Sequence, residues 1–372
     1  MHIDLTFPNK IVFGTGKLEK IGELTKAFGK KSLIVTGKNS SKESGALDNI
    51  IKNLRKQDIE AEIFDSISGE PDTDLVDDLR QVLKEKDIDF VIGLGGGSVL
   101  DVAKAAAGLY GQEEATVEYI NGKPFTYRGL AFIGVPTTAG TGSEVTLNSV
   151  LYNPRTKNKA SLAHPKFQAR LGLIDPILTY NMPADITAST GMDALTHAIE
   201  SYTSKAANPV TMALAGEAIS LIGQNILKAI EDGKNKEARS SMALGSLMAA
   251  LAFSQTGVGV AHSISHPLGA LFNIPHGIAN AILLPVVVEY NYDACTEKYE
   301  EIANLLGGRG SAKEQIDNLL RKMPIPQRLE QAGYKKGKEA DIIERTFQSR
   351  SISKNPRKVE KEDVIKILEN AM

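Results

Sequence analysis

The sequence predicts an α/β protein, with a parallel-sheet domain in the first half of the chain and an all-helical domain in the second. Three observations carry this expectation. Short β-branched apolar runs alternate with helically spaced stretches in the first half, a glycine-rich turn leads from one such run into a helix, and after Leu173-Ile174-Asp175-Pro176 long Ala/Leu/Ile patterns take over. Strands that alternate with helices of this length require a parallel sheet covered on both faces.

Taken in order, residues 32–36 (Ser-Leu-Ile-Val-Thr) read as a buried strand, followed by a helix over residues 44–56. Residues 62–65 and a helix from about Thr73 to Lys86 repeat the unit. Residues 89–93 and 131–135 add two more strands, and helical spacing runs from about Asp185 to the C-terminus. No internal repeat, low-complexity tract or long linker interrupts the chain. The expected division is residues 1–178 and 179–372, meeting at a packed boundary, and clefts between domains are a usual place for ligands.

The chain has 372 residues, 42% of them apolar, enough to bury a full core. A formal net charge of -2 provides no clustered basic excess for phosphate backbones or acidic membranes, which argues against nucleic acid and membrane partners. The single cysteine, Cys295, excludes an intrachain disulfide framework and suits a reducing compartment. The first ten residues lack the basic start and long apolar core of a signal peptide. No run reaches the roughly 18 uninterrupted apolar residues of a membrane span. A cytoplasmic location is expected.

Gly93-Leu94-Gly95-Gly96-Gly97-Ser98 follows a predicted strand and opens a helix over residues 99–109. Glycines at such a turn let backbone N–H groups approach a phosphate, and the helix N-terminus adds favourable partial charge. The same run also reads as a plain strand-to-helix turn with Ser98 as N-cap. A second polar segment, Pro136-Thr137-Thr138-Ala139-Gly140-Thr141-Gly142-Ser143-Glu144, follows the next strand. Two such segments at neighbouring strand ends are what a dinucleotide needs, so the first domain is expected to be Rossmann-like.

Five of the residues able to bind a metal, Asp193, His197, His262, His266 and His276, lie in the second half of a chain with only six histidines. Asp193 and His197 are four apart, as are His262 and His266, and residues four apart share one face of a helix. Two helices can therefore aim carboxylate and imidazole groups at one ion. Imidazoles with a carboxylate suit Fe(II), Zn(II), Ni(II) or Co(II) rather than Mg(II) or Ca(II). Five candidates exceed four ligands, which leaves one histidine for a catalytic role beside an open position.

These residues together resemble the iron-containing, or group III, alcohol dehydrogenases. The resemblance is carried by Gly95-Gly96-Gly97-Ser98 with Asp101 and Lys104, by Pro136 through Glu144, by Gly191-Met192-Asp193-Ala194-Leu195-Thr196-His197-Ala198-Ile199-Glu200, and by His262 through Gly277 with Pro267-Leu268-Gly269. It covers essentially the whole chain and implies a dehydroquinate synthase-like architecture. By what it implies, Asp193, His197, His262 and His276 hold one divalent metal, Fe(II) with Zn(II) as the alternative, and His266 is the non-ligating residue that passes a proton to solvent. The implied reaction is reversible hydride transfer between a nicotinamide and a primary alcohol or short diol, the metal polarising the substrate oxygen. The resemblance also assigns cofactor contacts to Gly96, Gly97, Ser98, Asp101, Thr137, Thr138, Thr146 and Lys159, and a substrate pocket to Asn148 and Phe253. Relatives suggest a homodimer.

The first strand ends in Thr36-Gly37-Lys38-Asn39-Ser40-Ser41, where NAD-using relatives often carry an aspartate at the position of Gly37. A carboxylate there binds the ribose 2′-hydroxyl and repels a 2′-phosphate. Gly37 leaves room, while Lys38, Ser40 and Ser41 offer charge and donors, so NADP(H) is expected over NAD(H). Glu70, where relatives commonly have Asn, works against this through its charge. Two other readings remain at this point. One is a glycerol or propanediol dehydrogenase of the same fold, and the other a non-catalytic protein that binds nucleotide and metal.

Overall fold

The computed structural model describes residues 3–125 and 129–372. It comprises two compact units: one formed by Phe7–Thr138 with Gly142–Asn181, the other by Met182–Met372 with Ala139–Thr141 and the N-terminal residues as far as Thr6. The chain thus changes unit at Asn181/Met182 rather than at residue 178, and three residues of the polar segment after the fourth predicted strand belong with the helices.

Among the described residues, the first unit is built on eight strands, β1 (Ile11–Phe13), β2 (Lys31–Gly37), β3 (Glu60–Ile67), β4 (Phe90–Gly95), β5 (Ala131–Pro136), β6 (Asn148–Asn153), β7 (Asn158–Ala163) and β8 (Leu171–Ile174). Six form a sheet in the order β1-β8-β5-β4-β2-β3, with every neighbouring pair parallel. The other two, β6 and β7, form an antiparallel hairpin that periodicity did not reveal. Among the described residues, six α-helices belong here: α1 (Ile21–Thr25), α2 (Ser40–Glu43), α3 (Ala46–Arg55), α4 (Thr73–Glu85), α5 (Gly97–Gly108) and α6 (Thr116–Ile120).

The period of two along each strand sends alternate side chains to opposite faces. Leu33, Val35, Val91 and Phe132 join the core under α4 and α5, with Val76, Leu79, Leu83 and Leu100. Ile34, Phe90, Ile92, Leu94, Ile133 and Val135 join the opposite core with Ile21, Leu47, Ile50 and Leu54 of α1 and α3. Both faces are therefore covered, and β4 is buried along its whole length.

One expected helix start shifts and another holds, each for a local reason. The chain enters α3 through Gly45 at φ 72°, a backbone state that glycine adopts at little cost, so this helix begins at Ala46 rather than at residue 44. At α4 the Asp72 carboxylate accepts the Leu75 N–H at 2.8 Å and caps the helix one residue before Thr73.

A buried polar network fastens the β6–β7 hairpin to α5. Lys104 donates to the Asn148 carbonyl and lies 3.3 Å from Thr146 Oγ1 and 3.5 Å from Asp101. The other Asp101 oxygen accepts the Val150 N–H at 2.9 Å. Beside them Glu144 is buried, and a β-carbon at Gly134 would lie 2.7 Å from its Cα and Cβ, so the close approach of β5 depends on that glycine.

Among the described residues, the second unit contains nine α-helices: α7 (Ala184–Thr203), α8 (Pro209–Glu231), α9 (Lys236–Thr256), α10 (Val260–Phe272), α11 (His276–Asn291), α12 (Thr296–Leu306), α13 (Ala312–Leu320), α14 (Glu339–Gln348) and α15 (Lys361–Asn370). One core gathers α7, α8, α9, α12 and α13, and a second gathers α10, α14 and α15. Helix α11 serves both, with Ala281, Leu284 and Val288 in the first and Ala279, Leu283 and Val287 in the second. Among the described residues, α8 is the one single helix long and apolar enough to cross a membrane by length and composition. Here it packs on α7 and α9 with Ile219, Ile222 and Ile226 fully buried. Between α9 and α10 the axis bends by 101° at Gly257-Val258-Gly259, with Gly257 at φ 71°.

Burial pushes the Glu144 carboxyl up to about 7, with Lys104 opposing. A raised carboxyl binds its proton more tightly in the folded state, so its contribution to stability declines as pH rises from about 4.5 to about 7. Glu144→Gln should reduce the difference in stability between pH 5 and pH 8 by on the order of 2 kcal/mol. Urea midpoints at the two pH values check this, and an unchanged difference would count against it.

Candidate functional site

Helix α7 has Asp193, His197 and Glu200 on one face, at spacings of four and three residues. All three are buried. The helix packs closely on its neighbours: a β-carbon at Gly191 would lie 2.7 Å from both Ile226 of α8 and Met242 of α9. The glycine-flanked bend before α10 brings His262 to this face, and Pro275 delivers His276 as the first residue of α11. A β-carbon at Gly277 would lie 2.3 Å from the Ser189 carbonyl, so the start of α11 rests directly against α7.

Asp193, His262 and His276 thereby present one ligand atom each within 4.8 Å of one another. Asp193 Oδ1 lies 3.6 Å from His262 Nε2 and 3.6 Å from His276 Nε2, too far for hydrogen bonds. Two donors each about 2.1 Å from one tetrahedral ion are about 3.4 Å apart, so these separations fit a shared cation. His262 Nε2 and His197 Nδ1 are buried with no hydrogen-bond partner. The His197 ring stacks between Phe253, at 4.1 Å between centroids, and His262, at 4.4 Å. It adjoins the three-residue cluster without being part of it. His266 is also outside it and half-buried, its ring centroid 5.1 Å from that of His276.

Hydrogen bonds support these side chains from behind. Asn280 Nδ2 donates to Asp193 Oδ1 at 2.7 Å and lies 3.2 Å from His276 Nε2. Ser265 Oγ donates to the His262 carbonyl at 3.1 Å and lies 3.3 Å from His276 Nδ1. Glu200 accepts from the Gly259 and Ala261 N–H groups and from His262 Nδ1.

The charges follow. Burial opposes ionisation of Asp193, but the histidines around it outweigh that and hold it far below the usual carboxylate range. Burial, reinforced by the neighbouring imidazoles, drives His197 down to about 3, so its ring is neutral at pH 7 and able to donate a lone pair. Burial also opposes a charge on His262, yet Glu200 and Asp193 raise it to about 9.

In the first unit, Gly96, Gly97 and Ser98 form the junction between β4 and α5. Gly96 is the N-cap and makes no side-chain cap bond, so Ser98 is not the cap. None of the turn glycines takes a positive φ. They act through close approach instead: a β-carbon at Gly95 would lie 2.7 Å from Val99, and one at Gly93 would lie 3.1 Å from Leu100 and Phe132. Gly37 ends β2, Ser40 is exposed at the start of α2, and Thr137 and Thr138 are half-buried just after β5. Three other expected cofactor residues bond within the unit. Ser41 accepts from Thr36 Oγ1 at 2.7 Å, Thr146 accepts from Lys104, and Asp101 is held by Val150 and Lys104. The Lys159 side chain is only 7% exposed and pairs with Glu70 at 2.7 Å, unlike a solvated lysine. Asn148 opens β6 with its carbonyl bonded to Lys104.

Family comparison agrees with this arrangement. Residues 8–176 match the model for iron-containing alcohol dehydrogenase, and residues 187–372 match the C-terminal model of the Fe-containing alcohol dehydrogenase family. The chain belongs to the iron-containing alcohol dehydrogenase family. It is 36% identical to 1,3-propanediol dehydrogenase from Citrobacter freundii, over 99% of this chain and 98% of that one. It is also 36% identical to the NADPH-dependent butanol dehydrogenase of Clostridium saccharobutylicum, over 98% and 96% respectively. A solved 1,3-propanediol oxidoreductase superposes with a TM-score of 0.96 at 36% identity, covering 100% of both chains. The protein is thus an alcohol dehydrogenase that uses NAD(H) and an iron-type metal.

Asn280 lies outside the sequence motifs that suggest metal binding, Ser265 lies between two of their histidines without being a candidate ligand, and Glu200 lies at the end of one motif. Their signals were present: Asn280 lies four residues after His276, and Glu200 three after His197 on a helix already suspected. Gly277→Ala should cost about 1–3 kcal/mol, because its β-carbon meets backbone that cannot yield as a flexible side chain would. Thermal unfolding of the metal-free protein would show this, and an unchanged midpoint would mean that the start of α11 does not rest on α7.

Proposed function

We propose that the enzyme interconverts a primary alcohol or short diol with its aldehyde, using NADP(H) in preference to NAD(H). On this reading Asp193, His197, His262 and His276 hold one divalent ion, Fe(II) with Zn(II) as the alternative. The carrying observation is the pair of 3.6 Å separations from Asp193 Oδ1 to two imidazole nitrogens in a buried site, beside two nitrogens with no hydrogen-bond partner. When bound, the metal polarises the substrate oxygen and the nicotinamide carries the hydride.

The chain's own residues supply the rest. Phe253, stacked on His197, offers an apolar face beside the ion's position and excludes water there. His266 is the more exposed imidazole outside the cluster and suits transfer of the alcohol proton to solvent. The preference for NADP(H) rests on Gly37, Lys38 and Ser40, because the Ser41 hydroxyl is bonded internally. Glu70 weighs less against a 2′-phosphate than its charge suggests, since Lys159 is paired with it. The relative described as an NADPH-dependent butanol dehydrogenase supports this choice, and the 1,3-propanediol dehydrogenase supports short diols as substrates.

A panel of alcohols and diols on metal-replete protein tests the reading. Activity should vanish on chelation and return with Fe(II), and kcat/KM should be higher with NADP+ than with NAD+; the reverse order would sink the cofactor choice. His266→Ala should lower kcat by about 100-fold while metal content stays near wild type, whereas His262→Ala should lose the metal. If His266→Ala empties the site instead, the division between ligands and proton carrier is wrong.

A further inference from the structure

We propose that Glu200 is a positioning residue for the metal centre, fixing His262 as the Nδ1–H tautomer so that Nε2 faces the ion. This rests on the metal reading above and extends it to a residue outside the ligand set.

The geometry is specific. Glu200 Oε2 lies 2.6 Å from His262 Nδ1 and accepts the Gly259 N–H at 2.7 Å, while Oε1 accepts the Ala261 N–H at 2.7 Å. A carboxylate only accepts hydrogen bonds, so the Nδ1 facing it must carry a proton. In the neutral ring that a metal requires, the nitrogen left to bind is then Nε2, which lies 3.6 Å from Asp193 Oδ1 and has no hydrogen-bond partner. Metal-bound histidines usually donate their other ring N–H to an outer carboxylate or carbonyl, which fixes the ring and raises its basicity.

The surroundings are shaped for that carboxylate. A β-carbon at Gly259 would lie 2.8 Å from Glu200 Oε1, so the chain turning into α10 passes too close for any side chain. The same contacts that orient His262 also bind the N-terminal N–H groups of α10, where a negative charge is favoured. Position and tautomer of His262 are thus set by one group on α7. Charge adds a second reason. Asp193 and Glu200 flank His262, and two carboxylates balance one divalent cation in a site with little access to water.

A purely structural role as a helix cap would leave metal retention alone, and the test separates the two. Glu200→Gln keeps an acceptor for the α10 N–H groups but removes the charge. Zn(II) is loaded onto the full-length protein, and its release to a chromophoric chelator is timed for wild type and variant, with the melting temperature of each metal-free protein measured alongside. Release should be about 10–100-fold faster in Glu200→Gln. Release within twofold of wild type would overturn the proposal, whatever happens to the melting temperature. A wild-type protein that retains no Zn(II) or Fe(II) would instead overturn the metal reading, and this proposal with it. Should Glu200→Gln fail to fold, nitrogen NMR of histidine-labelled, Zn(II)-loaded wild type decides: His262 must show a protonated Nδ1 and a metal-bound Nε2, and an unprotonated Nδ1 would overturn the assignment.

Discussion

The helical unit is organised around one buried carboxylate. Asp193 has no access to bulk water, and a charge in that position persists only when opposite charge and hydrogen bonds surround it. His197, His262, His276 and Asn280 are those surroundings, and they come from three helices. Each helix is accordingly fixed in place: α7 against α8 and α9 at Gly191, α11 against α7 at Gly277, and α10 against α7 through Glu200.

This arrangement explains why so much of α7 is buried. A helix on a protein surface shows one apolar stripe, whereas α7 packs apolar residues such as Met192, Leu195 and Ile199 into the core and keeps a polar face of Asp193, His197 and Glu200 inside as well. A buried polar face is stable only when each group finds a partner, and here His197 Nδ1, His262 Nε2 and Asn280 Oδ1 have no hydrogen-bond partner. The polar residues are costly for folding alone and make sense as chemistry.

The first unit solves a different problem with similar means. Its glycine-rich turn has no left-handed residue among Gly93, Gly95, Gly96 and Gly97; the missing side chains let α5 close onto β4 and leave the backbone open at the junction. Behind it, Asp101, Lys104 and Thr146 form a buried network that pins the β6–β7 hairpin. Residues that motif matching assigns to the cofactor therefore also shape the framework of this unit.

Much of this was legible in the sequence, because the governing signals are local. Alternation of β-branched and helical segments specifies strands and helices, since the backbone periods of two and 3.6 residues must match the buried faces. Spacings of four residues put Asp193 with His197 on one helix, and motif order named the family. The β6–β7 hairpin was not legible, as its strands are half-exposed and rich in Asn, Ser and Lys rather than β-branched residues. Nor could spacing tell which imidazoles converge, because His276 belongs to a different helix from His262 and His266, and its approach depends on how α10 and α11 pack. Only the tertiary structure placed Asp193 between His262 and His276, left His266 outside, paired Lys159 with Glu70 and set Glu200 behind His262. The physical reason is that hydrogen bonds and ligand geometry act over about 3 Å, a precision that periodicity along one chain cannot carry and that only packing between helices supplies.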